Sequence, residues 1–204
     1  MTEQQLLLKD MVERLFADLA ASRPENDDAE DVFAARWAQF EELGLQGLLI
    51  PEADGGFDGS GTESWLVCHA AGRHAIDLPV IEAIIAAGML AGAGLPIPAG
   101  VLSIASRVEG KLAGNMFEGR LYGVPWGRQA DHVVAIVDDR LICVPTVGAE
   151  IDQHVTMADE PRDEIRVEPT DVASAAYRGI AMLHHGALAR AAQIAGAARS
   201  AMDL

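Results

Sequence analysis

The chain has 204 residues, half of them hydrophobic, enough for one domain or two small ones with real cores and not a low-complexity polymer. A formal net charge of −16, with no basic cluster to offset it, repels phosphate backbones and anionic headgroups, so nucleic acid and membrane surfaces are excluded as partners. The two cysteines, Cys68 and Cys143, lie far apart in apolar contexts, which fits a reducing cytoplasm and two small core thiols.

The N-terminal stretch MTEQQLLLKDMVERLF is amphipathic and acidic, unlike a signal peptide. Thr2 followed by Gln5 forms a capping-box pattern, and the spacing predicts a helix over residues 2–22 with Leu7, Met11, Leu15 and Leu19 on its apolar face. SRPENDD ends it. Asp27 or Asp28 can start a second helix, buried through Phe33, Trp37 and Phe40 and ended by Gly44. The glycine-rich loop IPEADGGFDGSG follows, lacking both the G-x-G-x-x-G order and the lysine of a phosphate loop, and it is expected to be a turn-rich connector. Thr62 opens a helix to about His74, and Pro79 suits the first turn of another from Val80 to about Gly92.

Residues 83–106 carry no charge and would nominally span a bilayer, but Gly92, Gly94, Pro96, Pro98 and Gly100 break the run into helix, loop and strand. Beyond it, VLSIAS, KLAGNMF, HVVAIV, RLICVPT and EIRVEP are short and rich in Val and Ile, which are strand signals, and Asp138–Asp139 suits a hairpin turn. From Ala173 the pattern is helical again. Helices, then strands, then a helix give an α+β protein: an N-terminal helical domain (1–98), a small, mostly antiparallel β-domain (99–172) and one helix of an incomplete bundle (173–204). That last helix has no acid between Asp171 and Asp203 and is apolar round most of its circumference, so it is expected to be surrounded by further chain.

No residue set declares itself catalytic. His69 with His74, and His184 with His185, are spaced wrongly for one helical face, and no HExxH or CxxC occurs. Ser60 lies between glycines but not in G-x-S-x-G, and the acids from Asp27 to Asp31 are the solvated start of a helix.

Two segments carry a family resemblance. FEELGLQGLLIPEADGG contains E-x-G-x-x-G-x-x-x-P-E-x-x-G-G from Glu42 to Gly56 with order and spacing intact, and with AGRHAIDLPVIE it resembles the N-terminal helical domain of acyl-CoA dehydrogenases over about Phe33–Gly94. FEGRLYGVPWGRQADHVVAIV is similar to that family's middle β-domain, Gly119 falling on its turn glycine and Ala130–Asp131 on its Ala-Asp. EPRDEIRVEPTDV resembles the end of that domain, and ALARAAQIAGAARSAMDL the first helix of the family's C-terminal bundle. Leu204 comes before the family's Arg-x-Gln-Phe-Gly motif.

The resemblance implies FAD as cofactor, an acyl-CoA substrate, and assembly as a homo- or hetero-oligomer with an acyl-CoA dehydrogenase-like subunit in the cytoplasm. The family reaction removes an α-proton with a glutamate while the β-hydrogen leaves as hydride to the flavin. This sequence departs from the pattern. The family's Trp-Ile-Thr flavin element falls on Gly123, Val124 and Pro125, a Thr-Glu-Pro contact has Ala105, Ser106 and Arg107 nearest to it, and no catalytic glutamate is identifiable. The cofactor-binding positions implied by the resemblance are Ser106, Val124, Pro125 and Trp126. The alternative reading is a non-catalytic interaction subunit on the same scaffold, without bound flavin.

Overall fold

A computed structural model describes residues 1–22, 29–179 and 182–203. Helix α1 (Glu3–Ala21) starts at the capping box Thr2/Gln5. Its buried residues are Val12, Phe16 and Leu19, whereas Leu7 and Met11 are exposed, so the buried face is rotated from the expected one. Polar ties fix that rotation. Gln5 donates to Glu63 at 2.8 Å on α3 (Gly61–Arg73), and Glu13 meets both Arg73 (3.6 Å) at the end of that helix and His74 (2.8 Å), which caps it.

Helix α2 (Ala29–Glu42) buries Trp37 and Phe40, with Phe33 stacked on Trp37 at 6.3 Å, and Gly44 ends it with φ +64°. The expected start at Asp27 or Asp28 lies outside the described residues. Ser60 caps α3 and shares a second capping box with Glu63, so the helix begins just ahead of the expected Thr62. Hydrogen bonds from the Ser60 side chain, then from Gln5, hold the Glu63 carboxyl down at about pKa 2. Because the folded value lies below the ordinary one, the stabilisation is present above about pH 4.5 and is lost as pH falls through about 2. Glu63 is well solvated, so about 0.5–1 kcal/mol is expected. In acid titrations followed by circular dichroism, Glu63→Gln should be less stable at pH 7 and converge with the parent near pH 2.

Helix α4 (Val80–Gly92) is apolar apart from Glu82 and buried along most of its length. Among the described residues no helix is long and apolar enough to cross a membrane.

Eight strands follow: β1 (Leu102–Ala105), β2 (Arg107–Ala113), β3 (Met116–Pro125), β4 (His132–Val137), β5 (Arg140–Pro145), β6 (Glu150–Asp152), β7 (Arg162–Asp171) and β8 (Ala173–Ala176). One sheet runs β1-β4-β5-β8 and the other β2-β3-β7-β6. Only β1–β4 is parallel. The sheets share a core of Phe117, Leu121, Ile165 and Val167 from one and Val133, Ala135, Ile142 and Val144 from the other. Asp138 and Asp139 both have positive φ, as a two-residue hairpin requires, and join β4 to β5. KLAGNMF, expected as one strand, straddles a turn. Gly114, at φ +63°, folds β2 back onto β3, pairing Ala113 with Met116.

Helix α5 (Met182–Met202) begins later than expected. Ala173–Ala176 instead form β8, because pairing with β5 (Cys143↔Ala173 to Arg140↔Ala176) outweighs the weak helical preference of so short an alanine run.

The chain divides into two compact units. One comprises Met1–Ile84 with Ala187–Leu204 and the other Ile85–Gly186. Within the first, α5 crosses α3 at glycines: a Cβ on Gly196 would lie 1.9 Å from the His69 carbonyl oxygen, and one on Gly72 would lie 2.1 Å from that of Gln193. Arg190 of α5 donates to Glu82 at 2.8 Å, where Glu82 is only 4% exposed.

Both cysteines are free and buried, and burial pushes Cys68 up to about pKa 12 and Cys143 to about 11. Neither thiol should react with a thiol-specific dye at pH 8 in the native protein. Both should label on denaturation.

Candidate functional site

The segment from Leu43 to Gly61 is built by backbone approach. Phe57 N–H donates to the Gly47 carbonyl (3.2 Å), Asp58 to Ile50 (2.8 Å) and Gly59 to Leu48 (2.8 Å), so the loop doubles back on itself. Gly55 adopts φ +86°. A Cβ on Gly56 would lie 2.2 Å from the Ile50 oxygen, and one on Gly59 2.6 Å from that of Leu48. The spaced glycines therefore close a surface connector, as expected. Gly56→Ala should cost about 1 kcal/mol, moderated because a surface loop can shift, and should read out as a lower urea midpoint with unchanged m.

The four residues expected at a cofactor are gathered at one end of β3. Ser106 is an exposed bend just before Arg107, which pairs with Tyr122, while Val124, Pro125 and Trp126 follow on the strand and its exit. Their surroundings differ from the expectation for three of them. Val124 is fully buried in the core between the sheets, Pro125 is buried, and Trp126 is 3% exposed with φ +48°. A register shift between Leu121 and Val124 puts an extra residue on β3 opposite β7 and sets Val124 on the core face.

The backbone amides here are also spent, although Gln129 Oε1 and His132 Nδ1 are buried without a partner among the described residues. The Pro125 carbonyl accepts from the buried Ser103 hydroxyl at 2.5 Å, and the Thr146 hydroxyl donates to the Ala130 carbonyl at 2.5 Å. Trp126 N–H donates to Pro161, Gly127 to Val124, Gln129 and Ala130 to Trp126, and Asp131 and His132 to Val101. Arg128 N–H donates to the Asp163 carboxylate at 2.8 Å. Every amide from Trp126 to His132 thus has an acceptor within the chain, and Pro125 has no N–H to offer.

A flavin ring presents mainly acceptor nitrogens and oxygens at its reactive edge and needs free donors. The backbone of Pro125 and Trp126 does not meet that need; of the four positions only Ser106 is exposed.

Asp163 is the residue that sequence reasoning missed. It is completely buried and receives the Arg128 guanidinium at 2.5 and 3.1 Å together with the backbone N–H of Arg128 and of His154. The signal was the period-2 pattern of β7, which sets Asp163 on the same inward face as Ile165 and Val167. Among the described residues, no group of three or more His, Cys, Asp or Glu side chains is placed to hold a metal ion.

The sequence profile for the acyl-CoA dehydrogenase N-terminal domain matches residues 2–96. No curated protein sequence matches the chain. Among solved structures it is similar to the Tcur3481–Tcur3483 steroid ACAD, with a TM-score of 0.74 and 19% identity over 98% of this chain and 65% of that one. The ChsE4–ChsE5 complex from Mycobacterium tuberculosis gives 0.68 and 17% over 96% of this chain and 64% of that one. An acyl-CoA dehydrogenase complexed with FAD, from Bacillus anthracis, gives 0.54 and 15% over 85% and 37%. The chain thus spans just under two thirds of the length of the first two, at identities that speak for the fold alone. The chain has the acyl-CoA dehydrogenase family fold, and residues 2–96 match the model of that family's N-terminal domain.

Proposed function

We propose that this chain is one subunit of a cytoplasmic, acyl-CoA dehydrogenase-like assembly that carries out α,β-dehydrogenation of an acyl-CoA thioester. The observation that carries the proposal is the bare face of α5. Its inward residues Ala189, Ala192 and Gly196 are buried, while Ala187, Leu188, Ala191, Ile194, Ala195, Ala198, Ala201 and Met202 are exposed. At 3.6 residues per turn these eight fill one continuous arc of about 140°, in which His184, near the start of the helix, is the polar side chain among the described residues. Leu188 is 66% and Ile194 68% exposed, and a second helical layer is what such a surface fits.

A dehydrogenase-like partner chain supplies that layer. The neighbours support a heteromeric partner, one of them being the complex of ChsE4 with ChsE5. Within the assembly this chain contributes the helical domain of residues 1–98, the β-domain of 99–172 and a bundle helix, while Ser106 is the position able to meet a ligand. Any flavin is held chiefly by the partner.

A second reading, a non-catalytic subunit on the same scaffold, is favoured by the internally satisfied amides of Trp126–His132. Co-expression with a full-length acyl-CoA dehydrogenase homologue tests both. A co-purifying yellow complex that reduces a dye acceptor with acyl-CoA supports the first. A stable but colourless complex supports the second, and failure to associate with any homologue rejects the subunit reading itself.

A further inference from the structure

We infer that Asp163 is the positioning residue that locks residues 124–132 into a closed structural turn, so that this stretch acts as a brace of the β-domain and not as a cofactor contact. The inference rests on the dehydrogenase-like reading only in naming flavin as the group excluded.

The carboxylate is fully buried and ties three segments that are distant in sequence. It starts on β7, receives the Arg128 backbone N–H and guanidinium from the turn, and receives the His154 N–H at 3.0 Å from the loop after β6. Arg128 doubles the link by donating to the His154 carbonyl at 2.7 Å. Such charge-assisted, forked contacts are stronger than neutral ones, and a buried carboxylate with this many donors has no lone pair to spare.

Local sequence is shaped to admit it. Gly127 leaves the room, since a Cβ there would come within 2.9 Å of Asp163 Cβ. Trp126 is held at φ +48°, a region bulky side chains avoid, and so must be kept there by its surroundings. Its own N–H is bound to Pro161 at 3.1 Å, in the same loop that Arg128 and Asp163 secure. Removing Asp163 loosens the turn and the loop together and leaves the half-buried Arg128 guanidinium only its bond to the His154 carbonyl.

Hydrogen exchange on the full chain, read by mass spectrometry, is the test. Amides of 124–132 and 152–161 should be protected in the parent and unchanged by excess FAD. In Asp163→Ala both segments should exchange on the order of 100-fold faster, in step, while α1 and α3 stay as they were. Should that variant fail to fold, Asp163→Asn keeps the shape without the charge and should give the same paired pattern at about tenfold. Free exchange of the turn in the parent, slowing of it by FAD, or an Asn variant in which the two segments keep parental rates would overturn the inference. None of these outcomes depends on whether a partner chain is found.

Discussion

Arg190→Ala should lower the unfolding free energy by about 2–4 kcal/mol, because it takes a guanidinium away from the buried Glu82 carboxylate. Glu82 is 4% exposed and Arg190 reaches it at 2.8 Å from the other end of the chain, so water replaces the guanidinium poorly. Arg190 also donates to Gln193 at 2.6 Å on its own helix, which holds its side chain in the bridging rotamer. The double change Glu82→Leu with Arg190→Leu removes both charges and should recover most of the loss. Guanidinium denaturation of the two single variants and the double variant completes the cycle. A loss below about 1 kcal/mol for Arg190→Ala would mean the pair behaves as a surface contact.

Gly196→Ala should cost about 2 kcal/mol, and the sign is the informative part. Alanine in a helix interior is intrinsically better than glycine by about 1 kcal/mol. At position 196, however, the new methyl would lie 1.9 Å from the His69 carbonyl oxygen and 2.8 Å from the Arg73 amide nitrogen, both backbone atoms that no rotamer change can move. Overpacking against a rigid wall costs about 1–3 kcal/mol and occasionally more, so the clash outweighs the propensity. Gly186 is the control. It lies on the same helix with nothing within 4 Å of a built Cβ, and Gly186→Ala should stabilise by about 0.5–1 kcal/mol. Calorimetry should show melting temperature falling for the first variant by about 4–8 °C and rising slightly for the second.

Local chemistry made much of the fold legible in the sequence. Thr2 and Gln5 announced α1, Pro79 the start of α4, the Asp138–Asp139 pair a hairpin, and the Gly/Pro cluster from Gly92 to Gly100 the change from helices to strands. Each of these signals is complete within a few residues.

What the sequence hid depends on distant partners. Which face of α1 is buried turns on Gln5 and Glu13 finding Glu63, Arg73 and His74. Ala173–Ala176 is a strand only because β5 has a free edge. At the candidate site, the motif match brought Ser106, Val124, Pro125 and Trp126 to one place, but the register shift in β3 set Val124 into the core, and Pro125 and Trp126 are buried beside it. A slip of one residue exchanges the two faces of a strand, and nothing in VPWG itself encodes it. Asp163 looked like one acid among many in EPRDEIRVEP, and its burial becomes meaningful only beside Arg128 and His154.

The outer face of α5 carries the functional reading, and a charge placed on it is the sharpest probe. Ile194→Glu changes a residue that is 68% exposed, so it should leave the melting temperature of the purified chain within about 2 °C of the parent. Sedimentation equilibrium with a dehydrogenase homologue should show a complex for the parent and none for Ile194→Glu, with less binding of a hydrophobic dye by the variant alone. A parent that sediments as a dye-free monomer, or a variant that loses stability while still forming the complex, would contradict the account.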